Sequence, residues 1–93
     1  MMTISAVTLN KYHKQYAGAY AVTPDGAEVF KLKDDGTATW SYSGQLKKGT
    51  WDAVVDAIWI KINGNTGLIS EKYNRLNGRF ISDEDNSRRL VKQ

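Results

Sequence analysis

The sequence predicts an all-β fold: an antiparallel, up-and-down meander of about seven or eight short strands closing into a small barrel or half-barrel. Three observations carry that prediction. Apolar and polar residues alternate with period two in short runs such as Ala38-Thr39-Trp40-Ser41-Tyr42 and Ile58-Trp59-Ile60-Lys61-Ile62. A glycine-bearing turn follows nearly every run, among them Asp34-Asp35-Gly36, Ser43-Gly44 and Asn77-Gly78. The connections are short and follow chain order, and a sheet of that size closes or folds on itself because open strand edges invite aggregation.

Residues 1–15 form a lead-in segment with two readings. Leu9, Tyr12 and Tyr16 stand at helical spacing behind Thr8 as an N-cap, which predicts a short helix; an extended arm is the other reading. Gln15–Val22 reads as the first strand, with Tyr16, Gly18, Tyr20 and Val22 on one face. Thr23-Pro24-Asp25-Gly26 then makes a turn, Pro24 fixing φ and Gly26 accepting a positive one. The register of the next hairpin follows from matching faces. A two-residue Asp35-Gly36 loop would set Phe30 against Ser41 and Leu32 against Thr39, apolar against polar. A three-residue loop over Asp34, Asp35 and Gly36 pairs Leu32 with Ala38 and Phe30 with Trp40. Both faces then agree, and Gly36 takes the left-handed place of a G1 bulge.

After a turn over Gly44–Lys48, Gly49-Thr50-Trp51 opens another strand. Asp52–Asp56 fits strand, turn or helix, because Val54, Val55, Ile58 and Ile62 also trace a helical stripe over residues 51–62. The strict alternation of Ile58, Ile60 and Ile62, the β-branched content and the closing Asn63-Gly64 favour a strand there. Asn63–Gly67 is a hairpin turn, Leu68–Tyr73 a strand and Asn77-Gly78 the next turn. Arg79–Ser82 and Arg88–Lys92 form the last pair, joined by the polar loop Asp83–Ser87.

Ninety-three residues make a single domain. Such a chain buries only about 60–65% of its unfolded surface, so the ten aromatic residues must supply much of the core. The absence of cysteine excludes disulfides, thiolate metal sites and cysteine nucleophiles. Thirteen basic residues against ten acidic ones give a net charge of +3, well interspersed, which reads as a mixed solvated surface and argues against nucleic acid as the partner. No run has the length of a membrane span. Met1–Val7 has neither a basic n-region nor a long apolar stretch and does not read as a signal peptide. A leader removed upstream would place the protein in the periplasm or outside the cell; otherwise it belongs in the cytoplasm.

Catalytic chemistry finds little footing. His13, the sole histidine, reads as a surface residue with no second histidine or cysteine to share a metal and no local triad. Asp83-Glu84-Asp85-Asn86 lacks the spacing of a calcium loop and reads as a solvated hairpin loop. Most carboxylates sit in or beside turns, which argues against a pair held across a cleft. Gly64 and Gly67 lack the lysine and helix of a phosphate loop. No catalytic residue, metal or cofactor is therefore expected. The aromatic residues are the better lead. With Ile58, Ile60 and Ile62 inward, Trp59 faces outward beside Lys61. There it is covered by a loop, the N-terminal segment or a partner chain, or else it forms a binding surface.

Gly18-Ala19-Tyr20, Phe30-Lys31-Leu32-Lys33-Asp34-Asp35-Gly36-Thr37-Ala38-Thr39, Gly49-Thr50-Trp51 and Ile58-Trp59-Ile60 follow one another in a distinctive succession. In that order they resemble the lipocalin-like β-meander domains of small bacterial proteins, many of them secreted or lipid-anchored, over about residues 16–82. The resemblance implies an up-and-down barrel able to hold a small apolar ligand; the alternative is an interior filled by the chain's own Trp and Ile side chains. The expectation is a non-enzymatic binding or interaction module that engages a small apolar ligand or a protein partner. Trp59, Lys61, Trp40, Tyr42 and Trp51 are its candidate binding residues, and a homodimer is left open. Two other readings stand beside it: a phage or mobile-element protein that inhibits a host protein through its sheet face, and a small oligonucleotide-binding barrel whose aromatics stack on bases.

Overall fold

Period-two alternation becomes an inner and an outer wall. The computed structural model describes residues 9–64 and 67–93. A short helix α1 (Lys11–Tyr16) precedes β1 (Gly18–Val22), β2 (Glu28–Leu32), β3 (Thr37–Tyr42), β4 (Gln45–Val54), β5 (Ala57–Gly64), β6 (Gly67–Leu76), β7 (Arg79–Ser82) and β8 (Arg89–Lys92). Each strand pairs antiparallel with its sequence neighbours, and β8 returns to β1, so the sheet is a closed eight-stranded barrel in meander order. Closure leaves no full-length open edge, as expected of a sheet this size. The inner wall is a single cluster built from alternate residues. It includes Tyr20, Phe30, Leu32, Trp51, Ile58, Ile60, Ile62, Tyr73, Phe80 and Leu90. Among the described residues no helix is long and apolar enough to cross a membrane.

The turns set the registers. Leu32 faces Ala38 and Phe30 faces Trp40, as face matching predicts, and Gly36 turns the chain at φ 89°. The β3–β4 connection is tighter than expected. Ser43 and Gly44 both take positive φ, 50° and 80°, which is the two-residue hairpin geometry that matches strand twist. Residues 45–48, expected as turn, are therefore strand. Asn77 and Gly78 repeat the same device between β6 and β7, at φ 53° and 78°. Residues 51–62 are two strands and not a helix: Val54 pairs with Ala57 across a turn at Val55 and Asp56. Pairing between β5 and β6 runs out to Gly64 and Gly67, so Asn63, Gly64 and Gly67, expected in a turn, are strand; Asn65 and Thr66 of the expected turn lie outside the described residues.

β4 approaches β5 closely at Gly49. A Cβ there would overlap the backbone carbonyl of Lys61, so only glycine lets the two strands approach at this bend of the wall.

The N-terminal expectations need correction. The helix begins behind Asn10 and not behind Thr8, which lies outside the described residues. The Asn10 side chain accepts the Tyr12 N–H at 2.8 Å, and the Asn10 N–H donates to His13 Nδ1 at 3.1 Å, a reciprocal capping box. The first strand starts at Gly18; Gln15 and Tyr16, expected in it, complete the helix. His13, expected on the surface, is only 1% exposed.

That burial has a structural cause. β4 is ten residues long and β3 only six, and their pairing stops at Thr50. Beyond it the carbonyls of Trp51, Ala53 and Val55 face outward from an uncovered edge. Side chains of the α1 segment take all three. His13 Nε2 donates to Trp51 O at 3.1 Å, Asn10 Nδ2 to Ala53 O at 2.8 Å, and Tyr16 Oη to Val55 O at 2.7 Å. Because His13 Nδ1 already accepts from Asn10, the ring proton resides on Nε2, where this bond needs it. Tyr16 also packs edge-on to Phe80 at 5.1 Å and Tyr20 Oη donates to Tyr16 O at 2.6 Å. α1 thus closes one end of the barrel.

Candidate functional site

The opposite end stays open. It is ringed by the β1–β2 turn, the Ser43-Gly44 tip and the Asp83–Ser87 loop, and it leads into a cleft of about 180 Å³. β2 and β3 contribute Phe30 and Trp40 to its walls; β5 and β6 contribute Ile60, Ile62 and Ile69. Glu28, Glu71 and Arg88 also line it, and Lys47 of β4 stands beside Trp40. Apolar side chains make most of the accessible surface.

The three charged groups form one cluster. Arg88 Nη1 and Nη2 donate to Glu28 Oε1 and Oε2, both at 2.8 Å, a bidentate fork. Arg88 Nε donates to Glu71 Oε2 at 3.0 Å and Nη2 to Glu71 Oε1 at 3.1 Å. Trp40 Nε1 donates to Glu28 Oε2 at 2.8 Å, and Tyr73 Oη to Glu71 Oε1 at 2.9 Å. The side chains are about a quarter exposed, Arg88 at 24% and Glu28 at 25%. Every carboxylate oxygen is bonded within the cluster, and it ties β2, β6 and the residue just before β8 across the mouth.

Electrostatics follow from these contacts. The Arg88 guanidinium, aided by the Trp40 N–H, holds the Glu28 carboxyl below its ordinary range against the opposing effect of burial. Glu28, and Glu71 after it, hold the Arg88 proton more firmly than usual. Burial pushes the Tyr73 phenol up, and the Glu71 charge adds to it.

The residues singled out from the sequence separate into three places. Trp40 and Tyr42 meet at the mouth with ring centroids 6.0 Å apart. Trp40 is half-buried and Tyr42 exposed at the lip. Trp51 belongs to the closed end: it is 1% exposed, its indole N–H donates to Lys33 O at 2.7 Å, and its ring packs 4.7 Å from His13. Trp59 and Lys61 lie on the outer face of β5, opposite the face from which Ile60 and Ile62 line the cleft. The outward indole is half-buried between Asp52 and Lys72 in register, with the Lys72 ammonium 5.4 Å from its ring.

Glu28, Glu71 and Arg88 were missed, yet each carries a signal. Glu28 is in phase with Phe30 and Leu32, Glu71 with Tyr73, and Arg88 with Leu90. A charge on the apolar phase of a strand must point into the barrel. Most carboxylates do sit in or beside turns, but Glu71 lies within β6 and is joined through Arg88 to Glu28 at the start of β2.

No protein-family model matches this chain, and no curated protein or solved structure matches it either.

Proposed function

We propose that this protein is a non-enzymatic binding module that takes a small apolar ligand into the open mouth of its barrel. One observation carries the reading. The cleft is apolar on two walls, and three of the four charged side chains that line it, Glu28, Glu71 and Arg88, are already bonded to one another. A ligand entering it therefore leaves no polar group of the cluster unpaired, which is how binding sites accept apolar molecules at low cost. Glu28 and Glu71 are fixed by Arg88, which suits them to bracing the mouth and not to moving protons. The likeness to lipocalin-like meanders fits the same use of an open barrel end. A protein-binding reading through Trp59 is weaker, because Lys72 already covers that indole from within the chain.

The test is an amide and indole NMR titration with toluene. We expect shifts confined to Phe30, Trp40, Ile60, Ile62 and Ile69. A spectrum unchanged up to the solubility limit of toluene removes the reading.

A further inference from the structure

The size and charge of the mouth narrow its ligand further, on the premise that the mouth is a binding site. About 180 Å³ is small. Pockets for drug-sized molecules run to roughly 300–1,000 Å³, whereas a dry apolar cavity of about 150 Å³ accepts benzene. One ring with a short substituent is what fits. The walls suit a ring: Phe30 and Trp40 come from the paired strands β2 and β3, and Ile60, Ile62 and Ile69 from the paired strands β5 and β6, with β4 between the two pairs.

Charge decides the substituent. Four charged side chains line the cleft, and three of them are committed to each other. The fourth is Lys47. Among the described residues no carboxylate lies within ion-pair distance of its ammonium. Its ammonium sits 5.5 Å from the centroid of the Trp40 ring. Lys47 is half-buried near the Ser43-Gly44 tip, so it stands at the lip of the cleft. An anion there gains an ion pair with the ammonium. One guanidinium against two carboxylates leaves the cluster one negative charge in excess, but its oxygens are already bonded to Arg88, Trp40 and Tyr73, so among the described residues that line the cleft Lys47 is the charged group whose donors the cluster does not take up.

We infer that the ligand of this mouth is a single-ring aromatic carboxylate, its ring between the Phe30–Trp40 wall and the isoleucines and its carboxylate on the Lys47 ammonium.

Three probes with one ring and different heads test this: phenylacetate, benzyl alcohol and benzylamine, titrated at pH 7.5 and low salt by the Trp40 indole NMR signal. We expect phenylacetate to bind about fivefold tighter than benzyl alcohol, and benzylamine to bind weakest. Lys47→Met is expected to bring the phenylacetate to benzyl alcohol ratio to about one, and Lys47→Arg to keep it well above one. Equal binding of the three probes, a preference for the amine, or an unchanged ratio in Lys47→Met overturns the inference and leaves the mouth as a neutral apolar site. Failure of all three probes to bind removes the binding reading itself. The folded spectrum of each variant is checked first; should Lys47→Met not fold, Lys47→Gln replaces it with the same expected ratio.

Discussion

The two ends of this barrel solve the same problem with opposite chemistry. At the closed end, β4 carbonyls left without strand partners are met by the neutral side chains of His13, Asn10 and Tyr16, and the Trp51 indole adds a second donor to Lys33 O, which also accepts from Gly36 N. At the mouth, strands are held together by full charges, one guanidinium and two carboxylates. Neutral bonds to backbone allow tight packing, so α1 and the Trp51 ring leave that end filled. A charge cluster has to keep some contact with water, because burying ions completely costs several kcal/mol each. It therefore sits where the barrel opens and leaves room beside it. The difference teaches where a small barrel can place a cleft without losing its core.

The closed end is where one substitution is expected to cost most. His13→Ala removes a ring that is 1% exposed, opens a cavity against Trp51 and leaves the Trp51 carbonyl without its donor. The expected loss is about 3 kcal/mol in urea denaturation. His13→Phe separates the two contributions, since it refills the volume without restoring the bonds; it is expected to recover less than half of the loss. An unchanged midpoint in His13→Ala would mean that α1 does not stabilise this end.

At the mouth the expected loss is smaller and depends on pH. Arg88→Met leaves Glu28 and Glu71 facing each other with no cation between them, at a cost of about 2 kcal/mol near neutrality, since the groups keep partial access to water. The sign of the pH dependence follows from Glu28. Its folded carboxyl lies below the ordinary value of 4.5, so between the two values the unfolded chain binds more protons. The stabilisation is complete above 4.5 and is lost as pH falls through the folded value. In Arg88→Met that acid slope should flatten, and the gap between variant and wild type should close on acidification. Denaturation curves on both sides of the carboxylate range check this; a gap that is constant with pH would show that Arg88 acts through packing alone.

How much of this was legible in the chain divides along similar lines. Hairpin registers were readable wherever a turn residue and a face agreed, as with Gly36, Leu32 and Trp40, because both are local signals. The inward phase of Ile58, Ile60 and Ile62 was readable for the same reason. The α1 contacts were not, because what draws His13 inward is the mismatch in length between β3 and β4, and the turn at Ser43-Gly44 that sets it was read too wide. The mouth cluster joins residues separated by 60 and 17 positions, and no local pattern states that pairing. The phase of each charge was nevertheless visible, so the sequence could have placed Glu28, Glu71 and Arg88 inside the barrel without saying that they meet.

The smallest expected effect tests the contrast from its alkaline side. Tyr20 donates to Tyr16 O at 2.6 Å, and burial, followed by the Tyr16 phenol, pushes its own pKa up to about 12. The folded state thus favours the neutral phenol. Its contribution is complete below the ordinary value of 10.0 and disappears as pH rises toward about 12. Tyr20→Phe is expected to cost about 1 kcal/mol at neutral pH and to make the decline of stability above pH 10 shallower. The decline should not vanish, because the Tyr73 phenol beside the mouth cluster is raised in the same direction. Stability measured across the alkaline range in wild type, Tyr20→Phe and Tyr73→Phe divides the slope between the two ends. If Tyr20→Phe leaves the slope intact while Tyr73→Phe removes it, the alkaline limit is set beside the charged mouth and not at the closed end.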